Sequence, residues 1–203
     1  MDELQMQINF LNQMERMKCV LRQNRKIDGA QENDAEHSWH LVLYAMTLRQ
    51  YMPQGGDLGH AIELVAVHDV VEIEAGDTYA YDVAAQDGKL EREQAAAQTI
   101  FSMLPPAQKA HFLALWEEFE TATTPEAIFA NALDRLQPLV NNFHSGYTQW
   151  QKNHVTYSMV LQRNQKTMQL APEICAFVLQ LLEKAVQQGL LIDDRTQTHT
   201  GNL

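Results

Sequence analysis

Apolar residues recur at steps of three and four along nearly the whole of this chain, and that period belongs to one face of an α-helix. Leu4, Ile8, Leu11, Met14, Met17 and Leu21 form such a stripe, which predicts a first amphipathic helix over residues 3 to about 22. Leu41, Ala45 and Leu48 continue a second stripe from His37, and Ile62, Val65 and Ala66 form a third. Between them Met52-Pro53-Gln54-Gly55-Gly56-Asp57 breaks the chain, with Asp57 placed to cap the helix that follows. Further helices are expected over 90–104 and on to about Thr121, over 128–143 after a capped start at Thr124-Pro125-Glu126, and over roughly 154–168 and 172–188. No segment shows convincing strand alternation. The fold class is therefore all-α, one globular helical bundle over residues 1–190, with a polar tail over 191–203 expected to fray.

Two places interrupt this regularity. After Glu72 the helical pattern fails for about a dozen residues, through Gly76-Asp77-Thr78-Tyr79-Ala80-Tyr81-Asp82 to Gly88. Loops of that length in compact domains are usually functional or disordered. Pro138 removes the amide that would bond the carbonyl of Asp134, so a kink or opening is expected there.

Composition excludes several classes. The formal charge of −11 repels a nucleic-acid polymer, though not a small anion that needs only a few cations. No apolar run approaches the length of a membrane span, and the acidic start Met1-Asp2-Glu3 lacks the pattern of a secretory signal, so a cytoplasmic protein is expected. Cys19 and Cys175 lie far apart without metal-ligand spacing and read as free thiols. Within the acidic chain, Arg16, Lys18, Arg22, Arg25 and Lys26 make a local basic cluster. One account of it is cations favoured near a helix C-terminus.

The chemistry sits where polar groups break the apolar stripes. His68-Asp69 ends the run from Ala61 to Val67, with Glu72 one turn further on. Buried, that pair is costly unless hydrogen-bonded within the core or coordinated to a cation. His37 stands on a core-facing stripe just inside a capping-box start, Asn33-x-x-Glu36, and Asp134 interrupts the apolar face of a later helix.

His37, His68-Asp69 and Asp134 in this order resemble the H…HD…D pattern of the HD-domain metal-dependent phosphohydrolases. The stretches Glu32-Asn33-x-x-Glu36-His37-Ser38, His68-Asp69-x-x-Glu72-x-x-x-Gly76-Asp77 and Ala132-Leu133-Asp134-Arg135-Leu136 look most like the small YfbR-like nucleotidase branch, from about Met17 to about Asn142. The resemblance implies that His37, His68, Asp69 and Asp134 hold one divalent transition metal ion. Two imidazoles and two carboxylates suit Mn, Co, Fe, Ni or Zn. It implies catalytic roles for Glu72 and Asp77. Met17-Lys18-x-x-x-Arg22 matches the family's phosphate-facing segment, so Arg22 is the expected phosphate clamp, with Lys18 and Arg25 as weaker candidates. The implied activity is that of a 5′-nucleotidase-like phosphomonoesterase acting on nucleoside or deoxynucleoside 5′-monophosphates, and a homodimer is implied with it. A phosphodiesterase, a nucleotide triphosphate hydrolase or a poorly active metal- or nucleotide-binding regulator of the same superfamily are the alternatives.

Two departures from the branch bear on the substrate. Gln23 and Asn24 follow Arg22 where relatives that prefer deoxyribose carry a tryptophan, and Thr78-Tyr79-Ala80-Tyr81 lacks the proline of many relatives. His111 is expected to be structural, and Trp39, Trp116, Phe119 and Trp150 are expected in the core.

Overall fold

The computed structural model describes residues 2–145 and 149–195. Helix α1 (Glu3–Met14) is capped by Asp2 and passes into a tight 3-10 turn, Glu15–Cys19. A hairpin follows, β1 (Leu21–Arg25) antiparallel to β2 (Gln31–Asn33), with Leu21 opposite Asn33 and Arg25 opposite Gln31. Then come α2 (Asp34–Thr47), α3 (Leu58–Val67), a 3-10 turn His68–Val71, and the short α4 (Glu72–Ala75) and α5 (Val83–Gln86). The rest is α6 (Lys89–Phe101), α7 (Pro106–Thr121), α8 (Pro125–His144), α9 (Gln149–Lys152), α10 (Tyr157–Arg163), α11 (Gln165–Met168) and α12 (Pro172–Gln187). The fold is helical as expected.

The hairpin corrects the first helix, which stops eight residues short of Arg22. Val20 is already extended, and Gly29, at φ 84°, closes the turn where Lys26 N–H donates to the Ala30 carbonyl at 2.8 Å. Tertiary contacts override the local helical pattern here. The strand lets the Arg22 side chain reach inward to acids on α2 and in the His68–Val71 turn, which a solvated helix end would not have allowed.

Helices α2, α3 and α8 pack on one another as the centre of the molecule. Leu41, Leu64, Leu133 and Val65 are fully buried between them, and Ala45, Ala61, Ala127 and Ala130 let the backbones approach. Each buried leucine contributes about 1.5–3 kcal/mol. Helix α7 covers the end of α3 with Leu115, Trp116 and Phe119, the last packed at a tilt against the His68 ring with centroids 4.7 Å apart. Trp116, Phe119 and Trp150 are in the core as expected, whereas Trp39 is 64% exposed on α2.

Thr124 caps α8 and Pro125 opens it, and the helix continues through Pro138 to His144. Leu136 and Leu139 stay buried on either side of that proline, which holds the helix together across the missing amide. The start of the expected tail is docked. Leu191 is buried, and Ile192 pairs in parallel with Thr156, its carbonyl accepting from Tyr157 N–H at 2.8 Å. Residues 196–203 of that tail lie outside the described residues. Among the described residues no helix is long and apolar enough to cross a membrane.

Candidate active site

Local sequence aims each group. The capping box at the start of α2 is formed reciprocally, Glu36 N–H donating to Asn33 Oδ1 and Asn33 N–H to Glu36 Oε2, each at 3.0 Å. It sets His37 in the first turn, fully buried. Asp57 caps α3 as expected, accepting from His60 N–H at 2.8 Å. At its other end α3 tightens into the His68–Val71 turn, which gathers His68, Asp69 and Glu72 before Gly76, at φ 77°, swings the chain toward Asp77. Asp134 enters from the middle of α8.

These groups converge. The Nε2 atom of His37 is 3.1 Å from Asp134 Oδ1 and 3.9 Å from Asp69 Oδ2. The Nε2 atom of His68 is 3.1 Å from Asp69 Oδ1 and 3.7 Å from Asp134 Oδ1. Both rings are anchored through the other nitrogen. His68 Nδ1–H donates to the Val65 carbonyl at 2.9 Å, and His37 Nδ1–H donates to Gln137 Oε1 at the same distance. Those anchors leave each Nε2 as the atom turned toward the carboxylates, the tautomer that coordinates a metal.

A buried polar layer supports the cluster. Gln137 Nε2–H donates to Glu32 Oε1 at 2.7 Å and faces His40 Nδ1 at 3.2 Å, and Asn141 Nδ2–H also donates to Glu32 Oε1. On the other side Arg22 Nη1–H donates to Asp69 Oδ2 at 2.6 Å and Asp34 Oδ1 at 3.2 Å. His68 Nε2, Glu72 Oε2, Asp34 Oδ2 and Glu32 Oε2 are all buried without a hydrogen-bond partner. Unpaired buried polar atoms are costly.

The electrostatics show the same strain. Burial works against ionised Asp69, but His68 and Arg22 hold its carboxyl well below the usual range; the hydrogen bond from His37 and the nearby His68 ring do so for Asp134. Burial alone would lower His68, yet Asp69 and Asp134 push it up to about 10. Burial beside Asp69 and Asp34 pushes Glu72 up to about 11, and burial beside Asp69 pushes Asp34 up to about 7. Burial also raises Asp77. The site thus crowds more negative charge than Arg22 can neutralise. A divalent cation fits this donor set: donor atoms of His37, His68 and Asp69 lie within 4.8 Å of one another, and His68 Nε2 has no other partner.

One pocket joins Arg22, Asp69, Glu72, Asp77 and Asp134, roofed by Thr78–Tyr81 and Trp150. The structure does not bring Lys18 or Arg25 to it. Lys18 pairs with Glu15 on an exposed surface at 2.8 Å, and Arg25 donates to the Gly29 carbonyl and lines a separate cavity. Sequence reasoning passed over Asp34, Glu32 and Gln137. Asp34 is hidden beside the capping Asn33, and Gln137 lies three residues beyond Asp134 on the same helix face, a spacing that could have flagged it.

Comparison with known proteins agrees with this geometry. A family model described as HD domain matches residues 14–175. The 5′-deoxynucleotidase HDDC2 of Homo sapiens is 27% identical over 135 residues, covering 66% of this chain and 65% of that protein. Its Xenopus laevis counterpart is 30% identical over 133 residues, 66% of this chain and 63% of that one. The matched part of the chain thus spans just under two thirds of these relatives' length. A crystal structure described as a "Predicted metal-dependent phosphohydrolase" from Magnetospirillum magnetotacticum MS-1 superposes with a TM-score of 0.88 at 38% identity, covering 94% of this chain and 96% of that one. An HD-domain phosphohydrolase from Listeria innocua shares the fold at a TM-score of 0.61 and 14% identity, over 90% of this chain and 86% of that one.

Proposed function

The chain belongs to the HD domain family, and on that footing we propose that it is a metal-dependent phosphomonoesterase releasing orthophosphate from nucleoside or deoxynucleoside 5′-monophosphates. The observation that carries this reading is the buried floor, where two anchored imidazoles and two carboxylates turn toward one point. His37, His68, Asp69 and Asp134 hold one divalent ion drawn from Mn, Co, Fe, Ni and Zn. Such an ion supplies Lewis acidity toward a phosphoryl oxygen and acidifies water, the help that slow-hydrolysing phosphate monoesters need.

The chain's own residues do the rest. Arg22, held between Asp34 and Asp69 at the edge of the floor, binds and orients the phosphoryl group. Glu72 orients and deprotonates the attacking water; positive charge on the floor would lower its raised pKa toward the range a base requires. Asp77, in the loop beyond Gly76 and held upward by burial, delivers a proton to the leaving oxygen as the phosphorus–oxygen bond breaks. The substrate class is supported by the relatives described as 5′-deoxynucleotidases. Two further parts complete the reading: a cytoplasmic setting, consistent with the free thiols Cys19 and Cys175, and, following the resemblance, a homodimer, consistent with the exposed Phe177 and Leu179 on α12.

The test is phosphate release from nucleoside 5′-monophosphates, their 2′-deoxy forms and generic esters. Chelator-stripped protein is resupplied separately with Mn, Co, Ni, Zn and Mg, with Asp69→Ala as control. Metal-dependent release that vanishes in Asp69→Ala is expected, and the ribo/deoxy ratio reports what Gln23 and Asn24 do to sugar choice. No release with any metal, in protein shown to bind one, would overturn the phosphomonoesterase reading in favour of a diesterase, a triphosphate hydrolase or a regulatory binder.

A further inference from the structure

Most arginines of this acidic chain, with 26 carboxylate and 15 basic side chains, are already engaged. Arg16 pairs with Glu74, Arg22 with Asp34 and Asp69, Arg195 with Asp193 and Glu183, and Arg25 and Arg92 donate to backbone carbonyls. Arg49 is solvent-exposed, and Arg135 and Arg163 differ from all of these. Both are half-buried, and neither has a carboxylate within ion-pair distance or a hydrogen-bond acceptor among the described residues. They come from α8 and from the last residue of α10, and they meet on the wall shared by two cavities.

The inner cavity is the active-site pocket with its acids. The outer one opens past Ala80 and Tyr81 and is lined by Arg135, Arg163 and Lys166, with glutamines and Met159 but no acid and none of the metal-floor residues. The C-terminal end of α10 favours a cation, which accounts for one arginine there but not for a second facing it from another helix. Two half-buried guanidinium groups facing one another, with no direct ion pair and only the longer-range attraction of Asp134 and Glu120 on Arg135, favour an arriving anion, and their planar donors match phosphoryl oxygens.

We propose that Arg135 and Arg163 form a second phosphate subsite, adjoining the active-site pocket and distinct from the place where the ester is cut. Its ligand is a phosphoryl group that is not hydrolysed there, carried either on the far side of the substrate, as in a nucleoside 3′,5′-bisphosphate, or by a separate inorganic anion. The placement rests on the active-site reading above, but its test does not require turnover.

Binding is measured by calorimetry on chelator-stripped protein, so that affinity is read whether or not the protein hydrolyses anything. The probes are a nucleoside 5′-monophosphate, the matching 3′,5′-bisphosphate and inorganic pyrophosphate, applied to the native chain, Arg163→Gln, Arg135→Gln and Arg163→Lys. A bisphosphate bound at least tenfold more tightly than the monophosphate, with that ratio lost in both glutamine variants and largely kept in Arg163→Lys, supports the substrate-borne source. Pyrophosphate that binds without displacing the monophosphate, and fails to bind the glutamine variants, supports the free-anion source. Equal affinity for mono- and bisphosphate together with no pyrophosphate binding would overturn the proposal, as would glutamine variants that melt normally and keep the native ratio. Absence of phosphate release in the separate turnover assay would count against the phosphomonoesterase reading and leave this result standing.

Discussion

The floor and the roof of the candidate active-site pocket are built on different principles. Each imidazole of the floor has an anchoring bond behind it, His37 to Gln137 and His68 to Val65, and Asp69 is tied to Arg22. The imidazole anchors come from helices of the central packing unit, and Arg22 from the hairpin. The roof, Thr78–Tyr81, hangs between Gly76 and α5 and is held by turn contacts of its own, Asp82 N–H and Gln86 Nε2–H both donating to the Tyr79 carbonyl. The difference teaches where change is tolerated. A donor set must keep its geometry to bind an ion at all, whereas a roof can be reshaped to suit another substrate.

That contrast predicts a graded series of effects. The largest belongs to the floor itself: His68→Ala or Asp134→Ala should abolish metal retention, read by elemental analysis, and reduce phosphate release at least about a thousandfold. Next comes the layer beneath. Gln137→Leu leaves His37 Nδ1 without its acceptor and Glu32 Oε1 with Asn141 alone, so metal affinity should fall about 10–100-fold and stability by about 1–3 kcal/mol. Unchanged metal affinity in that variant would show that the floor is not held from behind, and the comparison would break.

A pH titration sharpens the same contrast. In the metal-free chain His68 is pushed up to about 10, so near neutrality its imidazole carries a proton that an incoming ion must displace. Metal affinity should therefore rise with pH, by about tenfold per unit if one proton is released, up to the region of that value. For the stability of the metal-free chain the sign is opposite. A raised folded-state pKa contributes stability that is fully present below the ordinary histidine value and lost as pH rises through about 10. A pH-independent metal affinity would mean that the ring is neutral before the ion binds. The smallest effect belongs to the roof. Tyr81→Phe should shift KM by a few-fold while leaving metal affinity unchanged, as measured by steady-state kinetics beside a metal titration.

The same division decides what could be read in advance. The floor was legible because its signals are local. The capping box puts His37 in a first turn, Asp57 starts the helix that delivers His68-Asp69, and Thr124-Pro125 starts the one that carries Asp134. What was illegible depends on contacts distant in sequence. Gln137 meets His37 across 100 positions, and Arg22 reaches Asp69 only because residues 21–25 leave the helical pattern to pair with 31–33. Asp34 gives no signal of its own because it lies beside the capping Asn33, and only the hairpin brings Arg22 to it. The basic cluster around Arg22 misled for a related reason. Charge can be counted along a chain, but whether Lys18 and Arg25 face the pocket is decided by the direction of a strand and a turn.

The central claim is that the buried cluster is a metal centre, and the thermal melt of chelator-stripped protein, with and without a divalent transition ion, tests it most directly. Binding to the folded state alone must stabilise it, by about 2.7 kcal/mol at a hundredfold excess over Kd. The account predicts one ion retained per chain and a clear rise in melting temperature, both lost in Asp134→Ala. A native chain that, after verified stripping, retains no added ion and melts at the same temperature with or without it would contradict the account.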